Sequence, residues 1–355
     1  MLGGGWKKQF LCLPNYGLIG MSKVKRDLKL PKVLYIETTN RCNLRCKGCI
    51  LYRGNWEPDR NISLEELIRI TDQLPDLEQV YLHGIGEPLL NKELPEIIRH
   101  LKRRNVYVLF NSNGILLNSQ RKQDLITAGL DELRISLDAA TSDGYKKIRN
   151  SNNFQQIVEN LKSFLLFQKK QQVALPKLSL WFLGTAGNIA ELPGFVQLAA
   201  EIGIGEIYLQ RLVYFQDNEG YGVARGTKTL QESVDGSSDL IKKSQDMAAG
   251  LGIRFNASGL GQPMESLQAE ARAKSPWRNC YRPLTLMYVT ANGNVLPCCI
   301  SPFATVDFSS IILGNVFVNS LEEIWTGSKY ENFRKQHQTS KPPKCCRGCG
   351  VQWSL

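Results

Sequence analysis

Between residues 32 and 212, apolar runs rich in β-branched residues alternate with stretches of helical period. Six runs predict strands, at residues 33–38, 80–84, 106–111, 132–138, 177–183 and 206–212. Five stretches between them predict helices, at residues 63–74, 92–104, 119–129, 154–171 and 188–202. A repeated strand–helix unit predicts a parallel sheet, and near-continuous apolar strands predict burial of that sheet on both faces. The pattern alone fits an open doubly wound sheet as well as an incomplete barrel.

Chemically unusual segments follow the first four predicted strands. They are RCNLRCKGC (41–49), HGIGEP (83–88), NSNG (111–114) and SLDA (136–139). The carboxyl ends of parallel strands meet at one edge of a sheet or barrel, which is where ligand sites form. The sequence therefore predicts a single functional site built from these four segments.

The first of these segments holds three cysteines, Cys42, Cys46 and Cys49, within eight residues. Thiolates bind zinc or iron–sulfur clusters, and structural zinc takes four ligands. A zinc knuckle would need His83 or a distant cysteine as its fourth ligand. A [4Fe–4S] cluster tolerates three cysteines and leaves one iron open to an outside ligand. Three basic residues nearby would offset the negative charge of such a cluster, namely Arg41, Arg45 and Lys47.

The distribution of the ten cysteines favours two ligand sites over scattered disulfides, because none lies between Cys49 and Cys280. Clustered thiols of this kind indicate a reducing compartment, and we expect a cytoplasmic protein. No apolar run is long enough to span a membrane, and no signal peptide is recognisable.

The net charge of +11 is scattered, and its densest run is Lys102-Arg103-Arg104 at a predicted helix end. Nucleic-acid binding is therefore not favoured.

The four segments, in this order and after these strands, resemble the radical S-adenosylmethionine (radical SAM) superfamily over residues 33–210. The resemblance implies an α/β enzyme with a partial (β/α)6 barrel of the TIM type. It also implies that Cys42, Cys46 and Cys49 hold a [4Fe–4S] cluster whose open iron is chelated by S-adenosylmethionine. In that family an electron from the cluster cleaves the cofactor to methionine and a 5′-deoxyadenosyl radical, which abstracts hydrogen from substrate.

The resemblance also assigns cofactor contacts. Gly86 and Glu87 would receive the methionyl amino group, and Arg149 would pair with its carboxylate. Ribose or carboxylate contacts would come from Ser136 and Asp138, with Asn111 and Asn113 nearby. The residues themselves leave other roles open. Glu87 could start a helix, Asp138 could cap the next one, and Ser136 could be a buried strand hydroxyl.

Two positions depart from the family pattern. Gly48 stands where an aromatic residue usually packs on the adenine, so part of that platform would come from elsewhere. The usual double glycine is replaced by Ile85-Gly86, although Gly84 precedes this pair. Both departures concern contacts to the cofactor and leave the cysteine pattern intact.

A second cysteine group lies near the end of the chain. Four thiolates there could close a zinc site or a fully ligated [4Fe–4S] cluster, and spacing alone does not separate the two. Cys280, Gly293-x4-Cys298 and Cys346-x2-Cys349 resemble the C-terminal auxiliary-cluster domain of radical SAM enzymes, in its short "twitch" form of the "SPASM" domain. The segments GNV (314–316) and SLEEIW (320–325) fit it too.

That resemblance implies a second, auxiliary [4Fe–4S] cluster with Cys280, Cys298, Cys346 and Cys349 as ligands. Two further cysteines, Cys299 and Cys345, adjoin these ligands. They are spare thiols, alternative ligands or candidate catalytic residues that donate a hydrogen atom or a proton. As small hydrophobic residues they need no role.

We expect an N-terminal extension (1–32), the radical SAM core (33–212), a connecting, substrate-facing region (213–277) and the auxiliary domain (278–355). An auxiliary cluster that accepts an electron predicts a two-electron oxidation. The 17 residues between Cys280 and Cys298 are similar to the spacing in family members that dehydrogenate amino-sugar or cyclitol alcohols. With only about 32 residues before the core, no leader-binding domain is expected.

The substrate prediction is therefore a small polar alcohol. One alternative is a maturase that cross-links or epimerises a ribosomal peptide, and another is a non-catalytic iron–sulfur or nucleic-acid-binding module. The expected partners are a small-molecule or peptide substrate and an electron donor such as flavodoxin or ferredoxin, with no membrane partner.

Overall fold

The computed structural model of the protein describes residues 28–52, 57–211, 237–257, 277, 280–305 and 307–347. Within these ranges the strands are β1 (Val33–Ile36), β2 (Gln79–Tyr81), β3 (Tyr107–Ser112), β4 (Glu132–Ser136), β5 (Lys177–Gly184), β6 (Glu206–Arg211), β7 (Arg254–Ala257), β8 (Leu286–Val289), β9 (Asn294–Leu296) and β10 (Gly314–Asn315). They form one sheet in the order β10-β9-β8-β1-β2-β3-β4-β5-β6-β7.

The α-helices in the same ranges are α1 (Leu64–Thr71), α2 (Leu94–Arg103), α3 (Ser119–Ala128), α4 (Ser142–Arg149), α5 (Phe154–Gln171), α6 (Leu192–Ile202), α7 (Ser237–Gly250), α8 (Arg282–Thr285), α9 (Ser301–Ala304), α10 (Leu321–Thr326) and α11 (Ser328–His337). Short 3-10 helices cover Ile50–Tyr52, Pro88–Leu90, Ile189–Glu191, Phe308–Ile311 and Lys344–Cys346.

The pairing of the strands confirms the predicted parallel sheet. Each of β1 to β6 pairs in parallel with the next strand along the chain, and β7 continues the series beside β6. On the other side, β8 pairs in parallel with β1, and β9 and β10 follow it as antiparallel strands. The partial barrel is therefore confirmed and is longer than the six strands expected from sequence. The boundaries expected for the N-terminal extension, the radical SAM core, the connecting region and the auxiliary domain stay predictions.

Most of the predicted helices are confirmed. The prediction for residues 154–171 matches α5 at both ends, and Ser63 with Glu66 forms the capping box expected at the start of α1. The sequence analysis missed α4, whose residues are mostly polar and whose buried positions are only Gly144 and Tyr145. The residues expected as connecting structure contribute α7 and β7.

The two faces of the sheet carry different side chains. On β1, Leu34 and Ile36 are fully buried in the main apolar core, which the surrounding helices share. The intervening Tyr35 points to the opposite, concave face, because successive side chains alternate along a strand. Tyr35 stacks on Tyr81 with ring centroids 4.0 Å apart.

Further along the concave face, Trp181 stacks on Tyr208 at a centroid distance of 4.0 Å. The guanidinium of Arg134 lies between the two pairs, 4.6 Å from the Trp181 ring and 5.7 Å from the Tyr81 ring. We call the side chains of Tyr35, Tyr81, Trp181 and Tyr208 the aromatic floor. It lies beneath the strand ends that carry the unusual segments.

In the part of the chain that the structure describes, no helix combines the length and the apolar character needed to cross a membrane.

Packing of the sheet against the helices makes a stability prediction. Phe182 on β5 is fully buried and packs on Phe195 of α6, with ring centroids 5.0 Å apart. We expect Phe182→Ala to lower the free energy of unfolding by about 3–5 kcal/mol, because the truncation leaves a cavity in the core. Denaturant unfolding of the apoprotein, followed by circular dichroism, measures this.

The matched control is Leu166→Ala on α5, since Leu166 is 68% exposed. We expect the control to change the free energy of unfolding by about 0.5 kcal/mol or less. Equal losses in the two variants would contradict the assignment of Phe182 to the core.

Candidate functional site

The loop after β1 brings the first three cysteines together. The backbone N–H of Cys49 donates to the carbonyl of Cys46 at 3.0 Å, and the N–H of Leu44 donates to Cys42 Sγ at 3.4 Å. Arg149, at the end of α4, donates from Nη1 to Cys46 Sγ at 3.7 Å. The loop therefore presents three thiols with a guanidinium beside them.

The electrostatics of these thiols suit a metal centre. Burial, with smaller contributions from Glu87, Cys46 and Cys49, raises the pKa of Cys42 to about 12. Burial also raises the pKa of Cys49, against the lowering effects of Arg149 and Arg45. Thiols in such an environment stay protonated until a cationic centre displaces their protons. The donor set and the adjacent guanidinium groups fit a [4Fe–4S] cluster.

The structure does not support a zinc knuckle completed by His83. Nδ1 of His83 accepts a hydrogen bond from the backbone N–H of Asn111 at 3.2 Å. Its ring stands edge-on to the Tyr35 and Tyr81 rings, 5.7 Å from each centroid.

An apolar wall covers one side of the thiols. Ile50, Leu51 and Ile85 form a small buried cluster against which Cys42 and Cys49 pack. Phe303, from the C-terminal part of the chain, packs on the same cluster. Such a wall limits water near the site, which strengthens the electrostatic interactions there.

The glycines of the second segment are required by close packing. A Cβ atom on Gly84 would lie 2.1 Å from Glu37 Cγ and 2.3 Å from the Tyr288 hydroxyl oxygen. A Cβ on Gly86 would lie 2.1 Å from the Thr39 carbonyl oxygen. By contrast, a Cβ on Gly48 would meet no atom within 4 Å, so packing does not require glycine there.

Glu87 is buried and accepts three hydrogen bonds. They come from the Ser112 hydroxyl at 2.8 Å, the Asn113 N–H at 2.7 Å and the Leu89 N–H at 3.2 Å. Burial raises the pKa of this carboxyl to about 6, and the three donors oppose the rise. Glu87 also caps the 3-10 helix Pro88–Leu90, which confirms the helix-start alternative without removing the carboxylate from the site.

The two asparagines of the third segment have different contacts. Oδ1 of Asn111 is buried and has no hydrogen-bond partner among the described residues. Such an orphaned acceptor indicates room for a ligand donor. Asn113 donates from Nδ2 to Asn43 at 2.8 Å, so it ties this segment to the cysteine loop.

Asp138 and Arg149 form a buried ion pair at the same rim. Asp138 also accepts the N–H of Leu183 at 2.8 Å. Burial raises the pKa of Asp138, and Arg149 opposes the rise. Nε of Arg149 is buried without a partner among the described residues, so the guanidinium keeps a donor for a ligand.

Two alternatives from the sequence are wrong. The helix after the fourth segment is capped by Thr141, whose hydroxyl accepts the Gly144 N–H at 3.0 Å, and not by Asp138. Ser136 is partly exposed at the end of β4, so it is not a buried strand hydroxyl. Its hydroxyl makes no hydrogen bond within the described ranges.

The second cysteine group also converges. Burial raises the pKa of Cys280 and of Cys298, and the thiols of Cys299 and Cys345 raise both further. Arg282 lowers both of these pKa values and donates to Cys299 Sγ at 3.6 Å. Four thiols and one guanidinium therefore share one neighbourhood, which fits a cluster of negative charge.

The remaining cysteines leave the ligand choice as a prediction. Cys345 Sγ and Cys346 Sγ are 3.9 Å apart, and Cys349 lies outside the described residues. The cysteine pairs 298/299 and 345/346 thus each keep two candidates for one ligand position, and a donor role for Cys299 or Cys345 stays a prediction as well.

Three residues of the site were not predicted from the sequence. Ser112 supports Glu87, Arg282 lies beside the second thiol group, and Glu37 is fully buried behind the glycines. A carboxylate that directly follows an apolar strand was a usable signal for Glu37, because buried carboxylates need donors. The other two depend on long-range contacts that carry no sequence pattern.

The Ser112–Glu87 contact makes a prediction about S-adenosylmethionine. A carboxylate with a pKa near 6 binds an ammonium better as the pH rises through 6, because the ionised fraction grows. Ser112→Ala removes a donor that favours the ionised form. We expect about tenfold weaker binding near pH 7 and a binding midpoint at higher pH.

Binding is measured by calorimetry on the reconstituted enzyme between pH 5.5 and 8.5, a range of about three units. The control is Ser163→Ala, whose hydroxyl contacts Lys122 at 2.7 Å in the helical layer. An unchanged affinity and midpoint in Ser112→Ala would argue against Glu87 as the ammonium acceptor.

Comparison with known proteins agrees with the geometry. The family described as the radical SAM superfamily matches residues 36–166, and the iron–sulfur cluster-binding domain called SPASM matches residues 280–350. The chain is 23% identical over 327 residues to the tungsten-containing aldehyde ferredoxin oxidoreductase cofactor-modifying protein of Pyrococcus furiosus, covering 88% of this chain and 86% of that protein.

The chain is also 24% identical over 328 residues to the PqqA peptide cyclase of Granulibacter bethesdensis, covering 90% of this chain and 79% of the relative. Its fold is similar to the crystal structure of Streptococcus suis SuiB bound to S-adenosylmethionine. That match has a TM-score of 0.65 at 17% identity and covers 92% of this chain and 72% of the other. The chain belongs to the radical SAM superfamily: it is a radical SAM enzyme with a C-terminal SPASM iron–sulfur domain.

Proposed function

We propose that the enzyme catalyses a two-electron oxidation of a substrate held over the aromatic floor, and that the substrate is a peptide. The cofactors supply the chemistry when bound: S-adenosylmethionine and the first cluster provide the hydrogen-abstracting radical, and the auxiliary cluster provides an electron acceptor. The residues of the chain bind these groups, orient the substrate and exclude water.

The observation that carries the oxidation is the proximity of the second cysteine group to the concave face. The Cys299 thiol raises the pKa of Tyr35, in addition to the larger effect of burial and that of Tyr81, and Arg282 lowers it. Tyr35 lies opposite Tyr288 of β8, and Cys299 raises the pKa of Tyr288 as well, after the larger effects of burial and Glu37. Phe303, four residues beyond Cys299, packs on the apolar cluster of Ile50, Leu51 and Ile85, against which Cys42 and Cys49 also pack. A substrate between the two cysteine groups is well placed to lose a hydrogen atom and then an electron.

The proposed ligands come from the resemblance to the radical SAM superfamily, and the contacts above are compatible with them. Cys42, Cys46 and Cys49 hold the first cluster. Gly86 and Glu87 receive the methionyl ammonium, and the orphaned donor of Arg149 faces its carboxylate. The hydroxyl of Ser136 and the unpartnered Oδ1 of Asn111 complete the proposed cofactor site. Asp138 orients Arg149, and Asn113 ties this segment to the cysteine loop. For the auxiliary cluster the resemblance assigns Cys280, Cys298, Cys346 and Cys349, of which Cys349 lies outside the described residues.

The substrate class follows from the polarity of the concave face. Hydroxyl groups of Tyr35 and Tyr81 and Nε2 of His83 have no hydrogen-bond partner within the described ranges, and all three residues are partly exposed. Burial and, to a smaller extent, the charge of Arg134 lower the pKa of His83 to about 3, so the ring is neutral. Since Nδ1 accepts from Asn111, Nε2 carries the proton and donates.

The acidic side chains that we identify on this face and its rim already have partners. Glu37 and Glu87 each accept three hydrogen bonds, and Asp138 and Glu132 pair with arginines. Glu206 is bonded to Arg254 and Asn256. The described part of the site thus offers donors and few unused acceptors. It suits the carbonyl and carboxylate groups of a peptide better than the ammonium of an amino sugar. The similarity to a peptide cyclase over 90% of the chain supports this proposal.

Dehydrogenation of a small polar alcohol is the second candidate. The spacing of 17 residues between Cys280 and Cys298 favours it. A neutral polyol without an amino group could also use the donors of the floor.

Radical initiation is tested first. The protein is reconstituted anaerobically with iron and sulfide, reduced with dithionite and given S-adenosylmethionine. We expect 5′-deoxyadenosine from the wild type and none from a variant with Cys42, Cys46 and Cys49 all changed to Ala, because only the first cluster opens an iron to the cofactor. The variant should keep the iron of the auxiliary site.

Product analysis then separates the substrate classes. Short peptides encoded beside the gene and a panel of polyols are each incubated with the wild type. Loss of two hydrogen atoms from a peptide supports the proposal, and the same loss from a polyol supports the second candidate. A product of unchanged mass in ordinary water that gains one deuterium in heavy water would contradict oxidation and indicate epimerisation.

The neutral donor at His83 makes a further prediction. We expect His83→Phe to lower substrate-dependent turnover about tenfold, since it loses a hydrogen bond to the substrate. Substrate-independent cleavage of S-adenosylmethionine should stay within about twofold of wild type. His83→Gln, which restores a donor near Nε2, should recover part of the turnover. Equal losses in both reactions would show that His83 acts on the cofactor site instead.

A further inference from the structure

Glu37 connects three segments that are distant in sequence. It directly follows β1 and is fully buried. One carboxylate oxygen accepts the backbone N–H of Ile85 at 2.8 Å and the hydroxyl of Tyr288 at 2.5 Å. The other oxygen accepts the N–H of Ala291 at 3.2 Å. The carboxylate therefore joins the first strand, the glycine loop of residues 84–87 and the β8–β9 turn of the C-terminal domain.

The carboxylate of Glu37 is tightly packed against its neighbours. Gly84 lies so close to Glu37 and Tyr288 that any side chain at this position would overlap both. Ile85, which donates to Glu37, also forms part of the apolar wall on Cys42 and Cys49. A shift of Ile85 would consequently move Glu87, two residues further on, and the wall beside the thiols.

We propose that Glu37 is a positioning residue that fixes the glycine loop against the SPASM domain. The loop that carries Gly86 and Glu87 is thereby held in place by the SPASM domain. This proposal rests on the proposed roles of Gly86 and Glu87 in binding S-adenosylmethionine. Glu37 itself touches neither substrate nor cofactor in this scheme. It acts through the backbone of Ile85.

The three donors explain why this position needs a carboxylate. A carboxylate only accepts, and here every group facing it donates. In Glu37→Gln one oxygen becomes an amide NH2, which then faces either Ala291 N–H or the Ile85 and Tyr288 donors. One side of the link is broken, and a buried donor loses its partner. The side-chain volume hardly changes, so the variant tests the link and not the packing.

Glu57 provides a matched control. It is also a buried carboxylate and also holds the β8–β9 turn, through the Thr290 hydroxyl at 2.9 Å and Asn294 Nδ2 at 2.7 Å. Glu57→Gln perturbs the same turn without changing the acceptor of Ile85. The comparison therefore separates a general weakening of the domain contact from the specific role of Glu37.

The experiment uses the reconstituted enzyme with both clusters. The affinity for S-adenosylmethionine and the rate of 5′-deoxyadenosine formation at saturating cofactor are measured for each variant. We expect Glu37→Gln to raise Kd about tenfold, with the saturated rate within about twofold of wild type, since the loss is in loop position. Tyr288→Phe should raise Kd about threefold and gives a second variant that retains the carboxylate.

The rise of Kd in the double variant of Glu37→Gln and Tyr288→Phe should not exceed the product of the two single rises, because both changes act on one hydrogen-bonded group. Glu57→Gln should leave Kd within about twofold of wild type. Wild-type affinity in both Glu37→Gln and Tyr288→Phe would overturn the proposal, and so would an equal rise of Kd in Glu57→Gln.

Failure of the proposed function has a different signature. If the wild type binds S-adenosylmethionine but forms no 5′-deoxyadenosine with any substrate, the proposed oxidation fails while the Kd comparison still reports on Glu37. If the wild type cleaves the cofactor and the Glu37 variants bind it normally, only the inference about Glu37 fails.

Discussion

Pairing of β1 on both of its edges is the constraint on which the site depends. It bonds to β2 on one side and to β8 on the other, with Tyr35 opposite Tyr81 and Tyr288. The cysteine loop that follows β1 consequently emerges between the glycine loop after β2 and the turn after β8. Parallel strands deliver their carboxyl ends to one rim. Segments 254 residues apart in sequence, at Glu37 and Ala291, therefore meet there.

Burial of charge gives this rim its chemistry. Glu37, Glu87 and Asp138 are all nearly or fully buried, and burial raises the pKa of each, to about 7 for Glu37. The ionised form of each carboxyl group is favoured by backbone N–H groups, hydroxyls or a guanidinium fixed beside it. The thiols follow the same rule, with Arg149 beside the first group and Arg282 beside the second. Because so many groups of the rim are desolvated, a cation or ammonium that binds there shifts their pKa values.

Sequence patterns correctly predicted features that depend only on residues close in the chain. The capping box of Ser63 and Glu66 and the full extent of α5 followed from side-chain periodicity and backbone capping, which need no distant partner. α4 was missed because its polar sequence forms a helix whose few buried positions pack only in the finished fold. β7 and β8 were missed as barrel strands because their place depends on pairing with β6 and β1.

By itself, the sequence determined the parallel sheet, the order of the four segments and the thiol donors, since periodicity and residue chemistry are local properties. The cofactor roles of Glu87, Arg149 and Ser136 came from resemblance and stay predictions. Only the tertiary structure decided that Asp138 pairs with Arg149, that His83 Nδ1 accepts from the Asn111 N–H, and that Glu37 joins the glycine loop to the SPASM domain. Such contacts arise when chain folding brings distant residues together in a low-dielectric interior, where hydrogen-bond partners must be found in three dimensions.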